Sequence, residues 1–187
     1  NVIALLMPDV GTTPDESMDN GREVATTLGV KYFVVSINNL VEEYQKIGWE
    51  YSPLAVANTK ARIRANILYS YSNTHKALVI GTSNKSEILL GYFTKYGDGG
   101  VDVEPIGDLY KTEVFELAEF LNIPRQIIKR KPSAGLWDGQ IDEDELGLTY
   151  SEIDSVLSGE LVSGDAYEKV QVLNRGSRSE EHTSELQ

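Results

Sequence analysis

The residues best suited to do chemistry lie between Lys76 and Pro105, in the stretch KALVIGTSNKSEILLGYFTKYGDGGVDVEP. Four apolar residues at 77–80 run directly into a polar segment that ends at Glu87. A run this short and apolar is typical of a strand buried on both faces. Because ligands in open α/β sheets bind beyond the carboxyl ends of such strands, we expect an anion and metal site in the polar segment.

Glu87 allows two interpretations. Asn84 and Glu87 have the spacing of a capping box, in which the carboxylate only completes the start of a helix. The same spacing places the carboxylate just beyond the end of a strand, where ligands bind. Spacing alone favours the capping role.

Three cations are equally ambiguous. With Asp108 as a predicted helix cap, Lys111 falls in the first helical turn, where its charge opposes the helix dipole by ~0.3–1 kcal/mol unless an anion binds there. Arg62 and Arg64 lie two positions apart on a predicted helix and project about 200° apart, so only one of them can address a given site. For each cation, an ordinary solvent-exposed side chain is the alternative.

The segment Lys95–Asp102, KYGDGGVD, combines three glycines with one lysine and two aspartates. Glycines let a ligand approach the backbone closely, and the charged side chains supply donors and acceptors. A solvent-exposed charged turn is the alternative, and the other ligands of an EF-hand are missing. The acidic run at 142–145 is better explained as a solvated loop, because consecutive side chains diverge.

Missing motifs argue against several catalytic classes. The sequence contains no GxSxG, HExxH, GxGxxG or Walker motif, so a hydrolase triad, a zinc protease, a Rossmann dehydrogenase and a P-loop kinase are each disfavoured. His75 falls in a predicted loop and His182 in a polar tail, so neither is a credible general base. Because cysteine is absent, any metal must have oxygen ligands, which favours magnesium.

Composition predicts one globular domain in a cytoplasmic protein. The 187 residues are 41% hydrophobic, enough to bury a sizeable core. The net charge of −12 argues against nucleic acid and anionic membranes as partners. The apolar run at 2–7 is far shorter than the roughly 20 residues that span a bilayer.

The chemistry-bearing segments must be positioned by alternating strands and helices. We expect strands at 2–7, 32–37 and 77–80. Helices are predicted between and after them, with starts at a Thr13 capping box, Asn38, Asn58, Asp108, Pro124 and Thr149. The segment 131–147 is predicted to be a long loop. This order predicts an α/β fold, doubly wound, with a mainly parallel sheet and helices on both faces.

Six ordered motifs together closely resemble the NAD synthetase family, within the N-type ATP pyrophosphatase superfamily. They are NTKARIR from Asn58, GTSNKSE from Gly81, TKYGDGGVD from Thr94, LYK from Leu109, PSAGLW from Pro132 and DExELG from Asp142. The resemblance covers roughly residues 1–170 and is nearest to the ammonia-dependent form. In that family ATP adenylates the carboxylate of deamido-NAD and releases pyrophosphate, and ammonia then displaces AMP to form the amide.

The resemblance implies a ligand for each motif. The residues expected to contact ATP are Thr82, Lys111 and Ser133, and the expected Mg²⁺ ligand is Glu87. The residues expected to contact deamido-NAD are Arg62, Lys95 and Asp102. No protein nucleophile is expected. The family also implies an adenine-nucleotide alpha-hydrolase-like fold and a homodimer.

Two departures from the family pattern concern the ends of the sequence. The SGGxDS pyrophosphate loop, with its magnesium-binding aspartate, would precede Asn1 together with the central strand of a five-stranded sheet. The His-Lys pair expected near the carboxyl terminus is also missing. We therefore expect residues 1–174 to be a truncated synthetase domain with little or no activity. Residues 175–187 resemble translated cloning sequence and are expected to be a non-native or disordered tail.

Three alternatives remain open from the sequence. The first is a non-catalytic nucleotide-binding or dimerisation module, and the second is the synthetase domain of a glutamine-dependent NAD synthetase. The third is another ATP pyrophosphatase, related to GMP or asparagine synthetase. The Lys95–Asp102 segment argues against the third, because it matches the NAD synthetase pattern.

Overall fold

The computed structural model describes residues 1–133 and 139–179. The described residues form an α/β arrangement that is rich in helices. The elements in chain order are β1 (Ile3–Leu6), α1 (Asp15–Thr27), β2 (Lys31–Val34), α2 (Asn38–Gln45), α3 (Pro53–His75), α4 (Lys85–Leu90), α5 (Lys111–Phe120), α6 (Arg125–Ile128), α7 (Asp142–Leu146), α8 (Tyr150–Leu157) and α9 (Asp165–Ser179).

The sheet starts as the sequence predicts. β1 and β2 pair in parallel, from Ile3 opposite Lys31 to Leu6 opposite Val34. α1 connects them, as a parallel pair requires. β2 ends before Ile37, which instead precedes α2 and is completely buried.

The predicted third strand, 77–80, is only partly formed. Ile80 makes an isolated parallel bridge to Val103, and the carbonyl oxygen of Val79 accepts the N–H groups of Asp102 and Val103. Val79 is 4% exposed, but Leu78 is 67% and Ile80 52% exposed. The prediction of burial on both faces is therefore wrong, because the described elements cover only the face to which Val79 points.

α3 begins earlier than predicted. The hydroxyl of Ser52 accepts the N–H of Ala55, and Pro53 occupies the first helical position, where its missing N–H costs nothing. Asn58 was the predicted cap but lies inside the helix. It is buried, and its Oδ1 accepts a hydrogen bond from the Thr94 hydroxyl at 2.8 Å.

Three further predicted caps are wrong. The hydroxyl of Thr13 accepts the N–H of Asp9 instead of capping α1. Asn38 bonds both the N–H and the carbonyl of Val10. Asp108 is exposed, and α5 begins beyond it. Short polar side chains suit caps and loop contacts equally well, and here the first two serve contacts between loops.

Other local predictions are confirmed. The Asn84 and Thr149 capping boxes both form, at the starts of α4 and α8. α6 follows Pro124. The segment 131–147 contains α7 rather than loop alone, and the predicted PSAGLW motif falls largely on residues 134–138, which lie outside the described residues.

Two apolar clusters hold the elements together. Leu90, Ile153 and Val170 join α4, α8 and α9, whereas Ile37 and Ile63 join the start of α2 to α3. α9 continues through Ser179, into the segment predicted to be a non-native tail, and residues 180–187 lie outside the described part of the chain. Among the described helices, none is long and apolar enough to cross a membrane.

Candidate functional site

A cavity of about 450 Å³ lies beyond the carboxyl end of segment 77–80. Its wall includes all four residues that were predicted to contact ATP or magnesium: Thr82, Glu87, Lys111 and Ser133. The loop after Ile80 supplies Thr82, α4 supplies Glu87, and the first residue of α5 supplies Lys111. The structure therefore has a cavity at the strand end where the sequence predicted an anion and metal site.

Glu87 both caps its helix and faces the cavity. Its Oε2 accepts the N–H of Asn84 at 3.1 Å, and the Asn84 side chain accepts the N–H of Glu87 in return. Its Oε1 lies 2.9 Å from the Lys111 ammonium, and the two side chains are only 17% and 18% exposed. The two interpretations of Glu87 are therefore compatible, because each carboxylate oxygen has its own partner.

Lys111 is held from two sides. Glu87 pairs with its ammonium, and the ring of Tyr150 lies 5.0 Å from the same nitrogen. The lysine is therefore not a solvated surface side chain. A cation held at a cavity wall by one carboxylate can also donate hydrogen bonds to an incoming anion.

None of the three residues predicted to contact deamido-NAD lines that cavity, but the segment that carries Lys95 and Asp102 contributes Gly97, Asp98 and Val101 to its wall. Nε and Nη2 of Arg62 both donate to the carbonyl oxygen of Lys95 at 3.2 Å. Asp102 accepts the N–H of Val79 at 2.7 Å and the hydroxyl of Tyr69 at 3.2 Å. These contacts tie the Lys95–Asp102 segment to α3 and to segment 77–80.

Arg64 is a cavity residue that the motif comparison missed. Its Nε donates to the carbonyl oxygen of Met7 at 3.0 Å, and its side chain lines the same cavity as Lys111. Burial lowers the pKa of Arg64, and the nearby Asp9 carboxylate opposes that shift. The two-residue offset from Arg62 correctly predicted that the two side chains diverge, but not which of them would face the cavity.

The acidic run at 142–145 was predicted to be a solvated loop, and this is wrong. These residues belong to α7, and Asp142 is 3% exposed. Its carboxylate accepts hydroxyls from Tyr92 at 3.3 Å and Tyr150 at 3.2 Å, and burial raises the pKa of Asp142. Tyr92, which is distant in sequence, and Tyr150 of the following helix create this environment, so the acidic run itself carried no signal for it.

Glu104 supports the Thr82 loop and was also missed. Its carboxylate accepts the N–H of Ser83 at 3.1 Å. A Cβ at Gly81 would overlap that carboxylate, so the glycine permits the close approach. Burial raises the pKa of Glu104. The Glu-Pro dipeptide at this position gave no indication of such a contact.

The described residues include no group of three side chains of the kind that holds a metal ion. Glu87 still fits magnesium as a shared ligand, since a carboxylate has about four acceptor positions and Glu87 uses two of them. Magnesium is commonly bound through one or two carboxylates together with substrate phosphates and water. The donor set therefore suits magnesium delivered with a nucleotide, not a cage made by the protein alone.

The comparison with known families agrees with this geometry. The NAD synthase family model matches residues 1–185. The chain belongs to the NAD synthase family. It is 52% identical over 156 residues to the NH(3)-dependent NAD(+) synthetase of Archaeoglobus fulgidus, a match that covers 83% of this chain and 63% of that protein.

Solved structures confirm the predicted fold class. This NAD synthase chain is similar to NMN synthetase from Francisella tularensis, with a TM-score of 0.91 and 35% identity over 99% of this chain and 78% of that one. It is also similar to the NH3-dependent NAD synthetase from Campylobacter jejuni, with a TM-score of 0.79 and 30% identity over 100% and 78% of the two chains. The family uses ATP.

Proposed function

We propose that the chain is the nucleotide-binding body of an ammonia-dependent NAD synthetase, which amidates deamido-NAD with ammonia at the expense of ATP. The observation that carries the proposal is the Lys111–Glu87 pair, 2.9 Å apart, in a cavity that Thr82 and Ser133 also line. Family membership and the archaeal relative's name support the reaction.

In this proposal the residues of the cavity bind and orient ATP. The Lys111 ammonium binds phosphate oxygens and shares its charge between them and the Glu87 carboxylate. Thr82 and Ser133 contact the nucleotide. Transfer of AMP to a carboxylate needs aligned reactants and neutralised charge more than a protein nucleophile. A site with lysine, hydroxyl and carboxylate groups, and without a catalytic histidine, is adequate for that chemistry.

Glu87 would hold the magnesium ion together with the phosphates. Bound magnesium supplies neutralisation of phosphate charge at the site of transfer. Arg62, Lys95 and Asp102 would contact deamido-NAD. Arg62 supports this role by fixing the Lys95 backbone, which sets the direction of the Lys95 side chain. A cytoplasmic homodimer, a domain limited to 1–174 and low activity of this chain remain predictions.

The proposal is tested by titration calorimetry with Mg-ATP and, separately, with deamido-NAD. Lys111→Ala is compared with Lys46→Ala, whose lysine forms a Lys–Glu pair that is about two-thirds exposed. We expect Lys111→Ala to weaken Mg-ATP binding by about 1.5–3 kcal/mol, the value of a hydrogen bond to a charged group. Lys46→Ala is expected to leave it unchanged, because exposed pairs contribute little.

Three outcomes carry different conclusions. Failure of the unmodified chain to bind Mg-ATP, or equal effects of the two lysine substitutions, would contradict the proposal. Binding of both ligands without NAD formation supports the prediction of low activity and leaves a non-catalytic module as the role of this chain. Preference for nicotinate mononucleotide over deamido-NAD would place the chain with the NMN synthetase that it resembles.

A further inference from the structure

Lys111 occupies an unfavourable place in its helix. It is the first residue of α5, where the unpaired N–H groups and the helix dipole create positive potential. Within α5, Glu113 in the first turn offsets part of that potential, and its carboxylate accepts the N–H of Tyr110 at 2.7 Å. The N–H groups of Lys111 and Thr112 are satisfied from outside α5.

A second, buried carboxylate at the start of α5 comes from α8. One carboxylate oxygen of Asp154 accepts the N–H of Thr112 at 2.9 Å, and the other accepts the hydroxyl of Ser86. That hydroxyl in turn accepts the N–H of Lys111 at 2.9 Å. Asp154 is 5% exposed and Ser86 is completely buried, so water cannot readily replace either group.

This network joins the two helices that supply the cation and its carboxylate. Ser86 precedes Glu87 on α4, Thr112 follows Lys111 on α5, and Asp154 reaches both from α8. A shift in Asp154 would therefore move the start of α5 relative to α4. The distance between the Lys111 ammonium and the Glu87 carboxylate depends on that relation.

We infer that Asp154 is a positioning residue for the nucleotide site, holding the Lys111 ammonium at the cavity by fixing the start of α5 against α4. The inference rests on the proposed function, and it adds a residue that does not itself line the cavity. Its negative charge offsets the helix dipole beside Lys111, and its two oxygens set the geometry.

The test compares Asp154→Asn with Thr149→Ala. Asparagine keeps the shape of the side chain but removes the charge and one acceptor oxygen. Thr149→Ala removes the cap of α8 itself, a comparable structural loss that touches neither Lys111 nor Glu87. Calorimetry measures binding of Mg-ATP and of deamido-NAD, and thermal unfolding measures the melting temperature of each variant.

We expect Asp154→Asn to weaken Mg-ATP binding about tenfold, as the loss of a charge-assisted contact implies. Its affinity for deamido-NAD is expected to change by less than about twofold, since Arg62, Lys95 and Asp102 do not line the cavity. Thr149→Ala should lower the melting temperature and leave both affinities unchanged. Unchanged Mg-ATP binding in Asp154→Asn, or an equal loss in Thr149→Ala, overturns the inference.

Two further measurements decide the inference if Asp154→Asn does not fold or if the unmodified chain does not bind Mg-ATP. Should Asp154→Asn not fold, Ser86→Ala removes the bridging hydroxyl alone and is expected to weaken Mg-ATP binding selectively. Should the unmodified chain not bind Mg-ATP, the proposed function is wrong, and amide hydrogen exchange then decides the positioning role alone. Faster exchange at Lys111 and Thr112 in Asp154→Asn than in Thr149→Ala supports it, and equal exchange refutes it.

Discussion

The residues predicted to bind ATP and those predicted to bind deamido-NAD differ in what their side chains already contact. In the first group, Lys111 and Glu87 pair with each other across a cavity wall. In the second group, Arg62 and Asp102 contact backbone groups, the carbonyl of Lys95 and the N–H of Val79. The first group contains an ion pair that can exchange a partner for a ligand, although Glu87 also caps α4. In the second group, Arg62 and Asp102 hold backbone groups in place.

This difference has an energetic basis. A lysine paired with one carboxylate keeps further donors for phosphate, because an ammonium has three N–H groups. Arg62 directs two N–H groups at one neutral carbonyl, a contact that orients the turn. Substitutions in the two groups should therefore separate effects on binding from effects on stability.

The largest effect is expected when the Lys111–Glu87 pair is broken from one side. Lys111→Met leaves the Glu87 carboxylate in a largely buried position without its cation, which we expect to cost on the order of 3 kcal/mol in the free energy of unfolding. Adding Glu87→Gln should restore much of that stability, since the uncompensated charge is gone. Urea unfolding of the four proteins in this cycle measures both values.

Recovery of stability without recovery of Mg-ATP binding in the double variant would sharpen the comparison. It would show that the charges of this pair contribute more to Mg-ATP binding than to the stability of the fold. Additive destabilisation would instead mean that the pair acts as two independent structural contacts.

The second effect separates the two arginines of α3. Arg62→Ala removes both N–H groups from the Lys95 carbonyl, so we expect a loss of about 1–2 kcal/mol in stability together with weaker deamido-NAD binding. Arg64→Ala is the matched control, because it changes the same residue type on the same helix, and Arg64 lines the cavity that contains Lys111. It is expected to weaken Mg-ATP binding and to spare deamido-NAD. Calorimetry with each ligand checks both outcomes. If the two variants lose affinity for the same ligand to the same degree, the separation of the two groups of residues is refuted.

The sequence predicted the parts of the site that depend on neighbouring residues better than the parts that depend on contacts between separate elements. Strand-end position and helix start singled out Glu87 and Lys111 but left their roles ambiguous, and the resemblance to NAD synthetases assigned them to magnesium and ATP. The structure brings the two side chains together. Asp142 depends on Tyr92, from the loop after α4, and on Tyr150 of α8, so the acidic run alone did not indicate its burial. The same holds for the fold, where β1 was predicted well but the exposure of Leu78 depends on which elements cover segment 77–80.

The third effect is a pH dependence that arises from Asp142. Burial raises its pKa above 3.8 in the folded state, so the native protein binds a proton that the unfolded chain has released. Stability supplied by this group is thus present at low pH and is lost as pH rises above 3.8 toward the raised pKa. Asp142→Asn should remove this decline, in contrast to Asp144→Asn on the exposed side of α7. Urea unfolding between about pH 4 and pH 7 measures both slopes, and equal slopes would contradict the burial argument.

The last prediction tests the deamido-NAD group directly, through Lys95→Ala. The substitution keeps the backbone carbonyl that Arg62 uses and removes an ammonium that lies 5.1 Å from the Tyr96 ring. Lys85→Ala is the matched control, since its ammonium lies 4.2 Å from the ring of Tyr110. Lys85→Ala, which removes one cation–π contact, should change the free energy of unfolding by no more than about 0.5 kcal/mol. Only Lys95→Ala should weaken deamido-NAD binding in calorimetry; if it does not, the lysine contributes to this group through its backbone alone.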